Sequence, residues 1–273
     1  MALTGFVTAQ EIQKYRSTMI GLDGDADSGK TELALSAPGK GALVGLDRGV
    51  KGLLDNPNPP PTRNPDFIYK IVQVPLASQL ASAADYKPYW FAFYTDYLAV
   101  LAEPLIRSMV LDGDSDSWEL QRLAEFGRIT KVPSIMYESV NAARRAMYAR
   151  AHDARKVFIA TSRIRKVYVT KLLADGTPEL NSSGNEVRVW NGTYERQGFA
   201  DQNYLWQIQC RCDKTEKGQF RVTILKCKPN QEVIGLSLVG GDCNMETLLE
   251  VCYPNVTATE WGFKPIVKGR VVR

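Results

Sequence analysis

Histidine is almost missing from this 273-residue chain, where His152 stands alone. That excludes any site built on two or more histidines and leaves a single base for a Ser-His-Asp arrangement. Long apolar runs are missing too. The best stretch, residues 90–105, is interrupted by Asp96 and Glu103, so no membrane span and no membrane partner is expected. Met1-Ala2-Leu3-Thr4-Gly5 has neither the basic flank nor the apolar run of a secretory signal. Cysteine is scarce and odd in number, five residues between Cys210 and Cys252. This suits a reducing cytoplasm better than a disulfide framework, and the cytoplasm is the expected compartment.

The remainder is an ordinary globular composition, 44% hydrophobic and 23% charged, long enough for one large core. Charge is unevenly placed. Residues 128–171 hold eleven Lys/Arg against only Glu138 and Asp153, a charge of +9, whereas the whole chain carries +4. A cationic segment in a mildly acidic body is what a polyanion-binding face needs, and it is equally the composition of a solvated helix face.

Along the chain, short apolar strands alternate with helical segments. Strands are expected over 17–23, 42–46, 67–74, 106–111 and 157–160, with helices over 31–37, 85–105 and 140–155. Residues 56–65, with five prolines, read as a surface loop. The alternation argues for a largely parallel α/β sheet. Residues 174–192 are rich in turn formers and read as a loop or small hairpin. From Tyr204 to Cys212 apolar and polar residues alternate with the strand period; after a polar turn so do Phe220, Val222 and Ile224, which together predict an antiparallel hairpin at the sheet edge. This places Cys210 and Cys212 on one buried face, the pattern of structural cysteines rather than zinc ligands. His152, beside Asp153 among arginines, reads as a helix-surface residue.

One motif carries chemistry. Gly24-Asp25-Ala26-Asp27-Ser28-Gly29-Lys30-Thr31 fits G-x-x-x-x-G-K-[ST] in full, between an expected strand and an expected helix. Glycines let the backbone curl so that its N–H groups face a phosphate; Lys30 would reach the β- and γ-phosphates and Thr31 would ligate Mg²⁺. ATP and Mg²⁺ are the expected ligands. Asp23, Asp25 and Asp27 should weaken anion binding unless they point outward or face the metal. The matching metal acid is Asp112, closing the run 105–112, with Asp114 and Asp116 as close alternatives. Asp47 is a candidate to orient the attacking water, or a turn acid. No Asn-Lys-x-Asp or Leu-Ser-Gly-Gly-Gln run occurs, which disfavours a GTPase and a transporter ATPase.

In this order of features the chain resembles the RecA-type recombinase ATPases, in particular the small RecA-like ATPases of bacteriophages associated with single-strand annealing and recombination. The resemblance covers residues 17–228. It is carried by 24–31, Leu111-Asp112, the strand 157–160 with Thr161-Ser162-Arg163, Tyr194-Glu195-Arg196-Gln197-Gly198-Phe199, and Ile224-Leu225-Lys226-Cys227-Lys228. It implies an α/β RecA-like P-loop core with a mainly parallel sheet and a C-terminal antiparallel hairpin, preceded by an arm at 1–16 and followed by an extension at 229–273. It further implies Lys226 and Lys228 as lysines reaching a neighbour's γ-phosphate, a γ-phosphate sensor among Thr161, Ser162 and Arg163, and a homo-oligomer, filament or ring. DNA-binding loops would fall at about 125–140 and 165–200. Arg163, Arg165, Lys166, Lys171, Arg188, Trp190 and Arg196 mix cations with an aromatic in a way that suits single-stranded DNA. The expected function is ATP hydrolysis on single-stranded DNA in phage recombination or replication, in the host cytoplasm. Two rivals are a small-molecule or nucleotide kinase whose Arg144–Arg165 cluster clamps phosphate as a lid, and a non-catalytic nucleotide-binding annealing or scaffold protein.

Overall fold

The computed structural model describes residues 16–46, 49–75, 80–128, 132–199 and 201–264. Eight strands form one sheet: β1 (Thr18–Gly24), β2 (Gly41–Gly45), β3 (Phe67–Ile71), β4 (Ser108–Asp112), β5 (Val157–Ser162), β8 (Ile208–Lys214), β9 (Phe220–Cys227) and β10 (Ser237–Val239). Their order is β3-β2-β4-β5-β1-β8-β9-β10. Pairings are parallel from β3 through β8, and antiparallel from β8 to β9 and β9 to β10. Between β5 and β8 a separate two-stranded antiparallel arm is inserted, β6 (Ile164–Thr170) with β7 (Arg188–Arg196). The architecture is therefore α/β, a mostly parallel sheet flanked by helices, with a separate hairpin.

The central strands β1, β2, β4 and β5 are buried at every residue, as expected of parallel strands covered on both faces. One face carries α1 (Lys30–Ala34), α2 (Gly49–Leu54), α7 (Met245–Cys252) and α8 (Ala258–Trp261), whose Leu33, Val50, Leu249 and Trp261 pack with Ile20, Leu22 and Val110. The other carries α3 (Ala83–Ala102) and α5 (Tyr137–Asp153); Phe93, Tyr97, Met147 and Tyr148 pack there with Met19, Leu111, Phe158 and Trp206. Two further helices, α4 (Asp114–Phe126) and α6 (Gln202–Leu205), complete the described helices. Among the described residues no helix is long and apolar enough to cross a membrane.

Several sequence expectations shift. The helix after the glycine-rich loop ends at Ala34 rather than at the Pro38-Gly39 break. Helix α4, whose first turn carries Asp114 and Asp116, was not foreseen. Tyr204 and Leu205 lie in the short helix α6, and Tyr204 is exposed; the strand alternation starts only at Ile208. The segment 174–192 is the outer part of the arm, where the bridges Leu172–Pro178 and Leu180–Glu186 continue the hairpin. The β8–β9 pair is not the sheet edge, because β10 lies beyond it. The segment read as an extension thus joins the same sheet and core: Leu248, Leu249 and Cys252 are buried, and Met245 N–H donates to Ser36 Oγ at 2.8 Å. Residues 1–15 of the expected N-terminal arm lie outside the described residues.

Candidate functional site

The sheet brings three side chains together at the C-terminal ends of its strands. Strand alternation puts Asp112 on the same face as Val110, and Thr161 on the same face as Ile159, the face that α1 covers. Thr31, in the first turn of α1, donates its hydroxyl to Asp112 Oδ1 at 2.9 Å. Thr161 Oγ1 donates to the same oxygen at 2.8 Å and accepts the Gly113 N–H at 2.9 Å. Asp112 is 2% exposed, so these bonds hold a desolvated carboxylate in one orientation. The expected metal pair is thereby brought into contact, and Thr161 orients the acid from the adjacent strand.

The loop 24–31 is shaped by its glycines. Gly29 has φ +85°, and a Cβ there would lie 2.7 Å from the Phe220 ring; a Cβ on Gly24 would lie 2.3 Å from the Cys212 carbonyl. Asp27 also adopts a left-handed φ of 56°. The Lys30 amine folds back onto the loop, donating to the carbonyls of Gly24 at 3.0 Å and Asp25, and to Ser28 Oγ at 3.2 Å. Burial lowers its pKa, and the Arg163 charge adds to this, against the raising effect of Cys212, Asp112 and Asp25. The three carboxylates of the motif separate. Asp25 and Asp27 are exposed, whereas Asp23 is buried on the opposite face of β1 and accepts from Arg196 Nε at 2.5 Å and Gln209 Nε2 at 2.8 Å. Asp23 therefore neutralises an internal cation.

The alternative metal acids are otherwise engaged. Asp114 is fully buried with Arg144, which also donates to Ser117 Oγ, and with the Tyr148 hydroxyl, which bridges to Gln202 at 2.7 Å. Asp116 pairs with Arg163 at 2.9 Å. Asp47 lies outside the described residues.

Of the cations assigned to DNA, Arg165, Lys166, Lys171 and Arg188 on the arm are in reach of solvent. The Lys166 amine lies 5.0 Å over the Trp190 ring, and Trp190 meets Tyr194 edge-on at 5.4 Å. Arg165, Lys166, Arg188 and Glu195 line one concavity of about 650 Å³. Arg165 is paired with Glu195 and Lys171 with Glu179, both at 2.7 Å, and Arg188 donates to the Tyr168 carbonyl at 2.6 Å. Arg196 is a correction: its side chain is 3% exposed, pairs with Asp23 and packs over Trp206, so it is not available to a phosphate from solvent. Arg144, the first cation of the supposed kinase lid, is likewise internal. The basic segment is thus not one surface, since Lys156 is also buried, with its amine on the Glu103 and Ile106 carbonyls.

Lys226 and Lys228 lie far from the loop of their own chain. Lys226 pairs with Gln209, which is level with Gly21, and Lys228 N–H donates to the Gln207 carbonyl, while Gln207 N–H donates to Met19. At about 3.3 Å per residue these levels are about 10 and 17 Å below Gly24. Lys226 projects on the α6 face, donating to the Asn203 carbonyl at 2.6 Å, and Lys228 reaches the Tyr204 carbonyl at 3.2 Å. Burial lowers the Lys226 pKa, helped by the charges of Lys228 and Arg196. Cys210 and Cys212 are buried in the core, where burial pushes the Cys212 thiol up to about 12. His152 is exposed on α5.

Set beside known proteins, the chain matches no family model and no curated protein, so its functional reading rests on this geometry.

Proposed function

We propose that the protein binds ATP with Mg²⁺ at the loop 24–31 and hydrolyses it as a RecA-like homo-oligomer acting on single-stranded DNA. The observation that carries the reading is the Thr31–Asp112 contact beside the folded Lys30 amine, because the motif's loop and its acid-tipped strand, remote in sequence, meet. The sheet order, with β5 between β1 and β4, is compatible with a RecA-like core.

In this reading Lys30 exchanges the carbonyls of Gly24 and Asp25 for phosphate oxygens, and its charge opposes the negative charge that develops during transfer. Thr31 and Asp112 would hold Mg²⁺, which supplies charge neutralisation of the β- and γ-phosphate oxygens when bound. Thr161 keeps the Asp112 carboxylate from rotating. Asp25 and Asp27 are exposed, so water and salt screen their charge from a bound anion. The arm offers stacking surfaces on Trp190, Tyr194 and Tyr168 and cations on Lys166 and Arg188, a combination that takes single strands without reading sequence. Because Lys226 and Lys228 stand on the other face and end of the sheet, any contact they make with a γ-phosphate is with a neighbour's.

The test is ATP hydrolysis with and without oligo-dT. Turnover that rises with DNA supports the reading. Binding without turnover moves the assignment to a nucleotide-binding scaffold, and phosphate transfer to a small acceptor without DNA moves it to a kinase.

A further inference from the structure

The β6–β7 arm is fastened to the core at both feet, and each fastening lies beside an element of the loop site. At the first foot, Arg163 N–H donates to Ser115 Oγ at 3.0 Å, and that hydroxyl donates to the Gln197 carbonyl at 2.7 Å. One buried serine, three residues after Asp112, thus grips both strands. At the second foot, Arg196 closes β7 with its Nε on Asp23, the residue directly before Gly24. Both side chains are desolvated, at 3% and 1% exposure. The approach is so close that a Cβ on Gly21 would lie 2.5 Å from Arg196 Nη2 and 2.8 Å from Trp206 Nε1. A shared groove lies outside the sheet. Ile164 and Tyr194, at the base of the arm, line a groove of about 370 Å³ together with Asp25, Ala26, Asp27 and Ser28. Tyr194 in turn packs against Trp190.

We infer that Asp23 and Arg196 are a positioning pair that couples the arm to the phosphate loop, so that a ligand stacked on Trp190 and Tyr194 alters the loop. A desolvated ion pair has no intermediate arrangement. Separating it leaves the Arg196 guanidinium buried without a counter-charge and Asp23 with only the Gln209 amide, so the end of β1 and the end of β7 move together. By reciprocity, a ligand in the loop must then alter the arm's affinity by the same factor. That the loop's ligand is a nucleoside triphosphate rests on the proposed function. The coupling itself belongs to the ligand-free chain, and the experiment reads it there.

Hydrogen exchange of the amides in 24–31 would be followed in four full-length proteins: wild type, Trp190→Ala, Asp23→Leu/Arg196→Met, and the triple variant. The double replacement substitutes apolar groups for both charges, and circular dichroism checks its fold. Trp190→Ala should change loop exchange about threefold or more in the wild-type background and leave it unchanged in the double-variant background. Equal changes in both backgrounds, or none in the wild type, overturn the coupling. If the double variant unfolds, Arg196→Lys replaces it; the arm's effect on the loop should then shrink, and an undiminished effect overturns the inference. Mg-ATPγS is added last. Binding that leaves the wild-type arm's exchange unchanged overturns the reciprocal effect, whereas no binding with the coupling intact rejects the nucleotide reading alone.

Discussion

The Thr31 hydroxyl donates to the Asp112 carboxylate across 2.9 Å, joining residues 81 positions apart. If this contact forms the metal site, its chemistry should follow the hydroxyl and the charge. Thr31→Val and Asp112→Asn should each lower Mg²⁺-dependent ATP turnover by about 10²-fold or more, while Thr31→Ser stays within severalfold of wild type. Equal turnover in Thr31→Val and wild type would reduce the contact to a packing role.

Lys30→Ala should abolish hydrolysis and leave the fold intact, because among the described residues the amine is bonded only within its own loop. A pH dependence follows from its lowered pKa. In the ligand-free fold the protonated amine is disfavoured relative to the unfolded chain. Its stability cost is present at low pH and disappears as pH rises past the unfolded pKa. A bound triphosphate favours the protonated form. Calorimetric ATP affinity should therefore fall as pH rises through the folded pKa in the wild type, and should lack that fall in Lys30→Ala.

Lys226 and Lys228 offer a sharper separation. Replacing both with alanine should lower turnover by about 10³-fold or more while leaving ATP binding largely intact, as for charge fingers supplied in trans. Mixing this variant with Lys30→Ala protein, each inactive alone, should restore part of the activity. No recovery in mixtures shown to co-assemble rejects the interface role.

Two of the arm's cations are paired, Arg165 with Glu195 and Lys171 with Glu179, which leaves about two to four cations for phosphate contacts. The slope of log K against log salt for oligo-dT should then be roughly −1.5 to −3. Lys166→Ala and Arg188→Ala should each flatten it. No binding at low salt would sink the nucleic-acid reading.

Arg144 tests the difference between lid and core. With its guanidinium fully buried against Asp114, Arg144→Met should cost about 3–5 kcal/mol in denaturant unfolding, because the carboxylate is left desolvated without a counter-charge, on the Tyr148 hydroxyl. A variant of wild-type stability that loses phosphate binding would restore the kinase lid.

The turn of the glycine-rich loop, the apolar strands and the acid closing β4 were legible in the chain because each depends on neighbours within a few residues. Glycine spacing, a strand before it and a helix after it are local properties, and so is the alternation that buries Cys210 and Cys212. What each charge does was decided by the tertiary structure. Asp23 looks like a member of an acidic loop and Arg196 like a DNA contact until the sheet brings residues 173 apart into one buried pair. Arg144 likewise reads as a surface cation until α4 and α5 enclose it with Asp114, and the depth of Lys226 below the loop, on the opposite face, comes from the strand register. A charged side chain enters a core only when a partner meets it there, and that partner is specified by strand order and helix packing rather than by its neighbours in sequence.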